Sequence, residues 1–203
     1  MKLLAGLLAL AACAAWGLAV GQPPAPVKAQ GPEMHQHDLA RLRISLEGNL
    51  LSLWLLAPLD GLVGFETAPR TARQRQAVKD LAARLHQPQT IFVSPAAAQC
   101  VPAHVALASE VIEPSLLAAQ APAEAPPATE PSRRRTGANT PSRGHADLEA
   151  TISFRCGKPQ SLSGLQVRMF DAFPALGRID VDIVTPRGQS GARLSPNRTN
   201  LTW

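Results

Sequence analysis

The chain has 203 residues, of which 45% are hydrophobic and 17% charged, with 19 prolines, three cysteines and no tyrosine. This length allows one medium domain or two small ones, and the hydrophobic share excludes a chain that is disordered throughout. The lysines and arginines behind the net charge of +5 are scattered, and 4% aromatic residues offer no stacking platform for bases, so composition argues against a nucleic-acid partner.

The first 21 residues have the pattern of a secretory signal peptide. Met1-Lys2 is a short basic start, Leu3 to Val20 is apolar and uncharged, and Ala19-Val20-Gly21 supplies small residues for cleavage. We therefore predict export, with no integral membrane segment in the mature chain. Two alternatives stay open. One is a membrane-anchoring helix of borderline length, and the other is a lipoprotein anchored through Cys13, which ends a lipobox-like Leu-Ala-Ala-Cys sequence.

Removal of the signal peptide leaves one pair of cysteines, Cys100 and Cys156. Because an exported compartment is oxidising, an even pair predicts a structural disulfide. The alternative is a redox or metal-ligating thiol pair, but no C-x-x-C spacing supports it.

The mature chain begins with a lead and a β-hairpin. Residues 22–34 contain four prolines, which predicts a flexible lead. Residues 39–47 alternate between apolar and polar side chains, as is typical of a half-buried strand. Gly48-Asn49 then supplies a two-residue turn into residues 50–57, which are apolar on both faces and predict a central strand.

A loop over residues 58–66 leads to the principal helix. The helix is predicted to begin near Pro69 and to end at Gln87-Pro88. One face is apolar and the opposite face is rich in arginine. That second face predicts either a solvated surface or a phosphate-binding one.

Two strands follow the helix, a short one over residues 90–93 and a longer one over 100–111. Pro102 predicts an edge position for the longer strand. Its side chains are expected to divide into Val101, Ala103, Val105 and Leu107 inward and His104 outward.

Residues 112–144 contain six prolines and the run Arg133-Arg134-Arg135. Such a composition predicts a disordered Pro/Ala/Arg-rich insertion. Since the expected disulfide joins the strands on its two sides, we interpret the segment as an insertion into one domain over residues 35–196.

The second half is rich in strands. Residues 146–156 and 179–183 alternate cleanly, and Thr185-Pro-Arg-Gly predicts a turn into a last strand over 189–194. Leu165 to Met169 predicts a strand or a short helix, and residues 197–203 predict a loose tail. Together the elements predict an α+β fold, with a mainly antiparallel β-sheet and one principal amphipathic helix.

No catalytic signature is present, and a thiol–imidazole pair with His104 would need a free thiol, so we predict no enzymatic activity. Histidine is the more informative residue type, because imidazole is a leading zinc ligand. His35-x-His37 places two imidazoles on one extended segment, and His145 precedes Asp147 and Glu149. His86 at the helix end is interpreted as a cap that matches the helix dipole.

Two motifs of the chain are the most specific, Gly-Phe-Glu-Thr-Ala-Pro-Arg-Thr over residues 64–71 and Phe-Asp-Ala-Phe-Pro over 170–174. They resemble motifs of the ZrgA-like periplasmic zinc-uptake proteins of Gram-negative bacteria. Leu42-Arg-Ile-Ser-Leu-Glu-Gly-Asn and Phe154-Arg-Cys156 are also similar. The resemblance covers about residues 35–195, interrupted by the insertion.

The resemblance implies a non-enzymatic periplasmic protein that binds zinc and contributes to its uptake, together with a zinc-binding subunit of an importer. It implies His35, His37 and His145 as ligands, although three histidines also suit copper or nickel. His104 is a weaker candidate ligand that the resemblance does not imply. The chain departs from the family pattern because residues 113–144 contain no histidine. That departure motivates an alternative hypothesis, in which the protein is an envelope structural or protein-interaction module that has lost metal binding.

Overall fold

The structure is a computed structural model that describes residues 38–119 and 146–203. Within these ranges the strands are β1 Leu39–Glu47, β2 Leu50–Pro58, β3 Phe92–Val93, β4 Cys100–Ala108, β5 Asp147–Cys156, β6 Gly164–Val167, β7 Arg178–Thr185, β8 Gly188–Leu194 and β9 Asn200–Thr202. The helices are α1 Leu59–Val63, α2 Ala72–Leu85, α3 Pro88–Ile91, α4 Pro114–Leu117 and α5 Met169–Ala172, with short 3-10 turns at Ala96–Ala98 and Pro159–Ser161. The predicted signal peptide, the predicted lead and residues 120–144 of the predicted insertion lie outside the described residues.

Six strands form the main sheet, in the order β4-β5-β2-β1-β7-β8. Neighbouring strands are antiparallel except β1 and β7, which run parallel. The β1–β2 hairpin turns at Gly48, whose φ of 58° lies in the left-handed region that glycine adopts without strain. The prediction of an α+β fold with a mainly antiparallel sheet and one longer helix is confirmed.

The main sheet has one buried face and one open face. Because side chains alternate along a strand, the buried face takes every second residue, such as Leu42, Leu53 and Ile152, each at most 1% exposed. The open face consists of the outward side chains of the six strands, which on β1 and β5 are the odd-numbered residues and on β2 and β7 the even-numbered ones.

Helix α2 contributes to the core that lies against the buried face. Val78, Leu81 and Leu85 are buried on its inner side. Its N-cap is Thr71, whose hydroxyl accepts a hydrogen bond from the backbone N–H of Gln74 at 3.1 Å, while the Gln74 side chain accepts one from the Thr71 N–H. This capping box sets the start of the helix three residues after Pro69, and the helix ends before Gln87-Pro88 as predicted.

A second, three-stranded sheet has the order β3-β6-β9 and adds Phe92, Val167 and Leu201 to the same hydrophobic core. The prediction of a loose tail over residues 197–203 is wrong. β9 pairs with β6, and Leu201 is only 4% exposed. The short segment Asn-Leu-Thr is stabilised by this pairing, which is not visible in the local sequence.

The inward and outward assignment of β4 is wrong at Val101 and Ala103. The register with β5 shifts between Pro102 and His104, so the alternation changes phase there. Val101 is 59% exposed as a result. His104 is exposed as predicted, and β4 is an edge strand as Pro102 predicted.

Some predicted loop segments are folded. Residues 112–119 belong to the predicted disordered insertion, yet they contain α4 and bury Ile112 and Leu117 at 3% exposure. The predicted loop over 58–66 contains α1, with Leu59 buried. No helix in residues 38–119 or 146–203 is long and apolar enough to cross a membrane.

Candidate metal site

The candidate ligands His35, His37 and His145 lie outside the described residues. The structure does describe the residue that directly follows two of them, Asp38 after His37 and Ala146 after His145. At these two residues the chain segments that carry the histidines connect to the described fold.

Backbone hydrogen bonds fix the position of Asp38. Its carbonyl oxygen accepts hydrogen bonds from the N–H groups of Gly177 and Arg178, both at 3.0 Å. The Asp38 carboxylate lies so close to Gly177 that a Cβ at position 177 would collide with its Oδ2. Glycine at 177 therefore allows the start of β1 and the start of β7 to approach closely.

Ala146 is held in a similar way. Its carbonyl oxygen accepts a hydrogen bond from the backbone N–H of Leu59 at 2.8 Å, and its side chain is 6% exposed. The next residue, Asp147, is the first of β5 and pairs with Pro58 at the end of β2.

The two anchoring residues lie at the same end of the main sheet. β2 lies between β1 and β5, and Arg41 near the start of β1 pairs with Leu56 near the end of β2. Because neighbouring strands are about 4.8 Å apart, the starts of β1 and β5 are separated by about 10 Å. Asp147 and Glu149 lie on the open face near this end.

Among the described residues, no group of three or more His, Cys, Asp and Glu side chains is arranged to hold a metal ion. The described residues near this end contribute carboxylates, and carboxylate oxygen is a hard ligand that zinc accepts alongside imidazole nitrogen. Asp38 was missed as a candidate from the sequence, although its position directly after His37 was a usable signal.

His104 is not brought to this end of the sheet. It pairs with Ser153, six residues along β5 from Asp147, which corresponds to about 20 Å at about 3.4 Å per residue. His104 therefore lies far from Asp38 and Ala146, the described residues that follow His37 and His145.

His86 is the C-cap of α2 and has a structural partner. Its Nε2–H donates a hydrogen bond to the carbonyl oxygen of Leu117 in α4 at 2.9 Å. The ring thereby contacts the backbone of a neighbouring helix, while the backbone of His86 occupies the C-cap position that the sequence interpretation gave it.

Cys100 and Cys156 form a disulfide, as predicted. The two residues face each other across β4 and β5. Neither has a free thiol, so the alternatives of a metal-ligating thiol pair and of a thiol–imidazole pair with His104 do not apply to this structure.

The comparisons with known proteins gave one family. A family model described as ZrgA family zinc uptake protein matches residues 34–203. A comparison with curated proteins gave no significant match. The matched range takes in the whole described part of the chain and begins one residue before His35.

Proposed function

The chain belongs to the ZrgA family of zinc uptake proteins, and on that premise we propose that it is an exported periplasmic protein that binds zinc and delivers it to a zinc importer. It acts as a binding protein and not as an enzyme. The partner that we propose is a periplasmic zinc-binding subunit of that importer.

We propose His35, His37 and His145 as the zinc ligands. The observation that carries this assignment is the common location of Asp38 and Ala146 at one end of the main sheet, about 10 Å apart by strand spacing. Consecutive Cα atoms are about 3.8 Å apart, so His37 and His145 join the fold close to this end whatever their conformation.

Nearby carboxylates support the same assignment. Asp147 and Glu149 lie on the open face of β5, and Asp38 lies at the start of β1. These groups supply negative charge and hard oxygen ligands for a divalent cation. Because zinc, copper and nickel all bind imidazole, the metal preference depends on geometry and availability.

Calorimetric titration of zinc into the mature protein tests the proposal. Replacing two of three imidazoles removes most of the ligand set, so His35→Ala/His37→Ala is expected to lower zinc affinity by more than about 10-fold, since even outer-shell changes at metal sites cost that much. His145→Ala should also weaken binding.

The matched control is His104→Ala, because His104 is exposed and about 20 Å from Asp147 along β5. Equal affinity of the double variant and the unmodified protein would overturn the ligand assignment.

The alternative hypothesis is an envelope interaction module without metal binding, motivated by the absence of histidine from residues 113–144. Growth of a deletion strain in the presence of a zinc chelator separates the two. A growth defect that added zinc corrects supports the proposed function. Unchanged growth together with altered envelope integrity supports the alternative.

A further inference from the structure

The open face of the main sheet has an apolar centre. An antiparallel sheet with one solvated face is expected to place polar side chains outward along each strand. β2, in the middle of the sheet, instead presents Leu50, Trp54 and Leu56 outward, all half-buried. None of these three side chains belongs to the hydrophobic core of residues 38–119 and 146–203 or is among the partly buried residues packed against it.

A concave region of about 320 Å³ lies beside Trp54. Ser45 and Ser52 face each other across β1 and β2 and contribute two small side chains to it, one row away from the pair Arg43 and Trp54. Val184, 46% exposed, lines another side. The Trp54 indole therefore lines one side of a depression to which Ser45 and Ser52 contribute two small side chains.

Arg43 orders this region. Its guanidinium lies 4.9 Å from the centroid of the Trp54 ring and its Nε lies 4.0 Å from the Asp182 carboxylate. Such a stack favours one orientation of the indole, which leaves less side-chain entropy to lose when the surface is covered. Tryptophan and arginine are also the residue types that carry most binding energy in protein interfaces.

The charges of the open face are balanced in number. The cations are Arg41, Arg43, Arg155, Arg178 and Arg193, and the anions are Glu47, Asp147, Glu149, Asp180 and Asp182. Balance of this kind does not favour a strongly acidic or basic partner. It is what a surface needs in order to match a second copy of itself, since a two-fold interface sets the same patch against itself.

The size of the face suits such a contact. Six strands of seven to ten residues, about 4.8 Å apart, cover about 850 Å², and a standard interface buries about 800 Å² on each partner. We propose that two copies of the chain pack through their open faces, with Trp54 of each copy filling the depression at Ser45 and Ser52 of the other. Sheet-on-sheet packing at about 10 Å brings these side chains into contact.

Sedimentation equilibrium of the mature protein in the presence of a chelator tests this inference independently of zinc binding. The unmodified protein is expected to show twice the monomer mass at micromolar concentrations. Trp54→Ala removes the ring and Ser52→Arg fills the depression with a charge. Each should raise the dimer dissociation constant by at least about 30-fold, the effect of losing an interface residue worth about 2 kcal/mol.

The matched control is Arg73→Ala, an exposed change on α2, which leaves dimerisation unchanged. Circular dichroism establishes that each variant is folded, and Ser52→Arg offers a test that does not remove a large side chain.

A monomeric mass for the unmodified protein up to about 100 μM, well above the micromolar affinity of a specific interface, would overturn the proposal. So would a dimer that Ser52→Arg leaves intact. Ser52→Arg should bind zinc as tightly as the unmodified protein, so failure of one proposal does not imply failure of the other.

Discussion

His86 illustrates at the scale of one residue how a candidate metal ligand differs from a structural histidine. Its Nε2 is bonded to the Leu117 carbonyl, and its backbone N–H closes the last turn of α2 on Ala82. The first interaction joins α2 to α4 and the second lies within α2, and neither requires a metal ion.

We expect His86→Ala to lower the free energy of unfolding by about 1 kcal/mol, the usual worth of one hydrogen bond, without changing zinc affinity. Urea denaturation and zinc titration on the same variant measure the two effects. His104→Ala should change neither, because His104 is exposed on the edge strand. A loss of zinc affinity in His86→Ala would make His86 a ligand and not a cap.

The side-chain directions of β4 show where local patterns fail at this scale. Alternation in the sequence assigns Val101 and Ala103 to the buried face, but the shift between Pro102 and His104 changes the phase of the strand. Beyond the shift, Val105 and Leu107 pair with Ile152 and Ala150 on the buried side, as predicted. Pro102 indicated an edge strand correctly, yet a bulge depends on how the partner strand pairs, and that information is not local.

At the scale of elements, the long strands and the long helix were predictable from the sequence, whereas the short elements α4 and β9 were not. β1, β5 and α2 each repeat an apolar pattern over nine residues or more. α4 and β9 have four and three residues, too few for a period, and both are stabilised by burial of one leucine, Leu117 or Leu201. Tertiary packing determines such elements, so sequence alone assigned them to an insertion and a tail.

The pairing of β6 with β9 depends on Gly164. A Cβ at this position would collide with the carbonyl oxygen of Leu201. We expect Gly164→Ala to separate β9 from β6 and to lower the free energy of unfolding by about 1–3 kcal/mol, as overpacking does. Hydrogen exchange should show lost protection at residues 200–202.

Gly191→Ala is the matched control for that change. It is also a glycine in a strand, but the nearest atom to its added Cβ is the Val181 carbonyl oxygen at an ordinary 3.5 Å. Its effect should stay within about 0.5 kcal/mol, as for most surface changes. Equal effects of the two substitutions would mean that the close approach at Gly164 does not determine the pairing.

At the scale of the whole molecule, the sequence identified the candidate ligands but not that Asp38 and Ala146, which directly follow two of them, lie at one end of the main sheet. That location follows from the strand order β5-β2-β1, in which the starts of β1 and β5 lie at one end on either side of β2. The parallel pairing of β1 with β7 is likewise a long-range contact. Neither can be deduced from local periodicity, because alternation specifies that a strand exists and which side is buried, but not which strand lies beside it.

The disulfide joins the two parts of the chain that lie on either side of residues 120–145. Its cysteines are 56 positions apart, and the chain-entropy model gives about 4 kcal/mol of stabilisation for a loop of that length, through restriction of the unfolded chain.

We expect reduction of the unmodified protein to lower its free energy of unfolding by about that amount, measured by urea denaturation with and without a phosphine reductant. β4 should lose protection from hydrogen exchange first, because it is an edge strand with β5 as its one neighbour in the main sheet. Cys100→Ser/Cys156→Ser should match the reduced protein and show no response to the reductant, which controls for effects of the reductant itself. Oxidised and reduced proteins that agree within 1 kcal/mol, a difference below the 2–4 kcal/mol typical of a disulfide, would mean that the strand pairing between β4 and β5 holds the two parts together without the covalent bond.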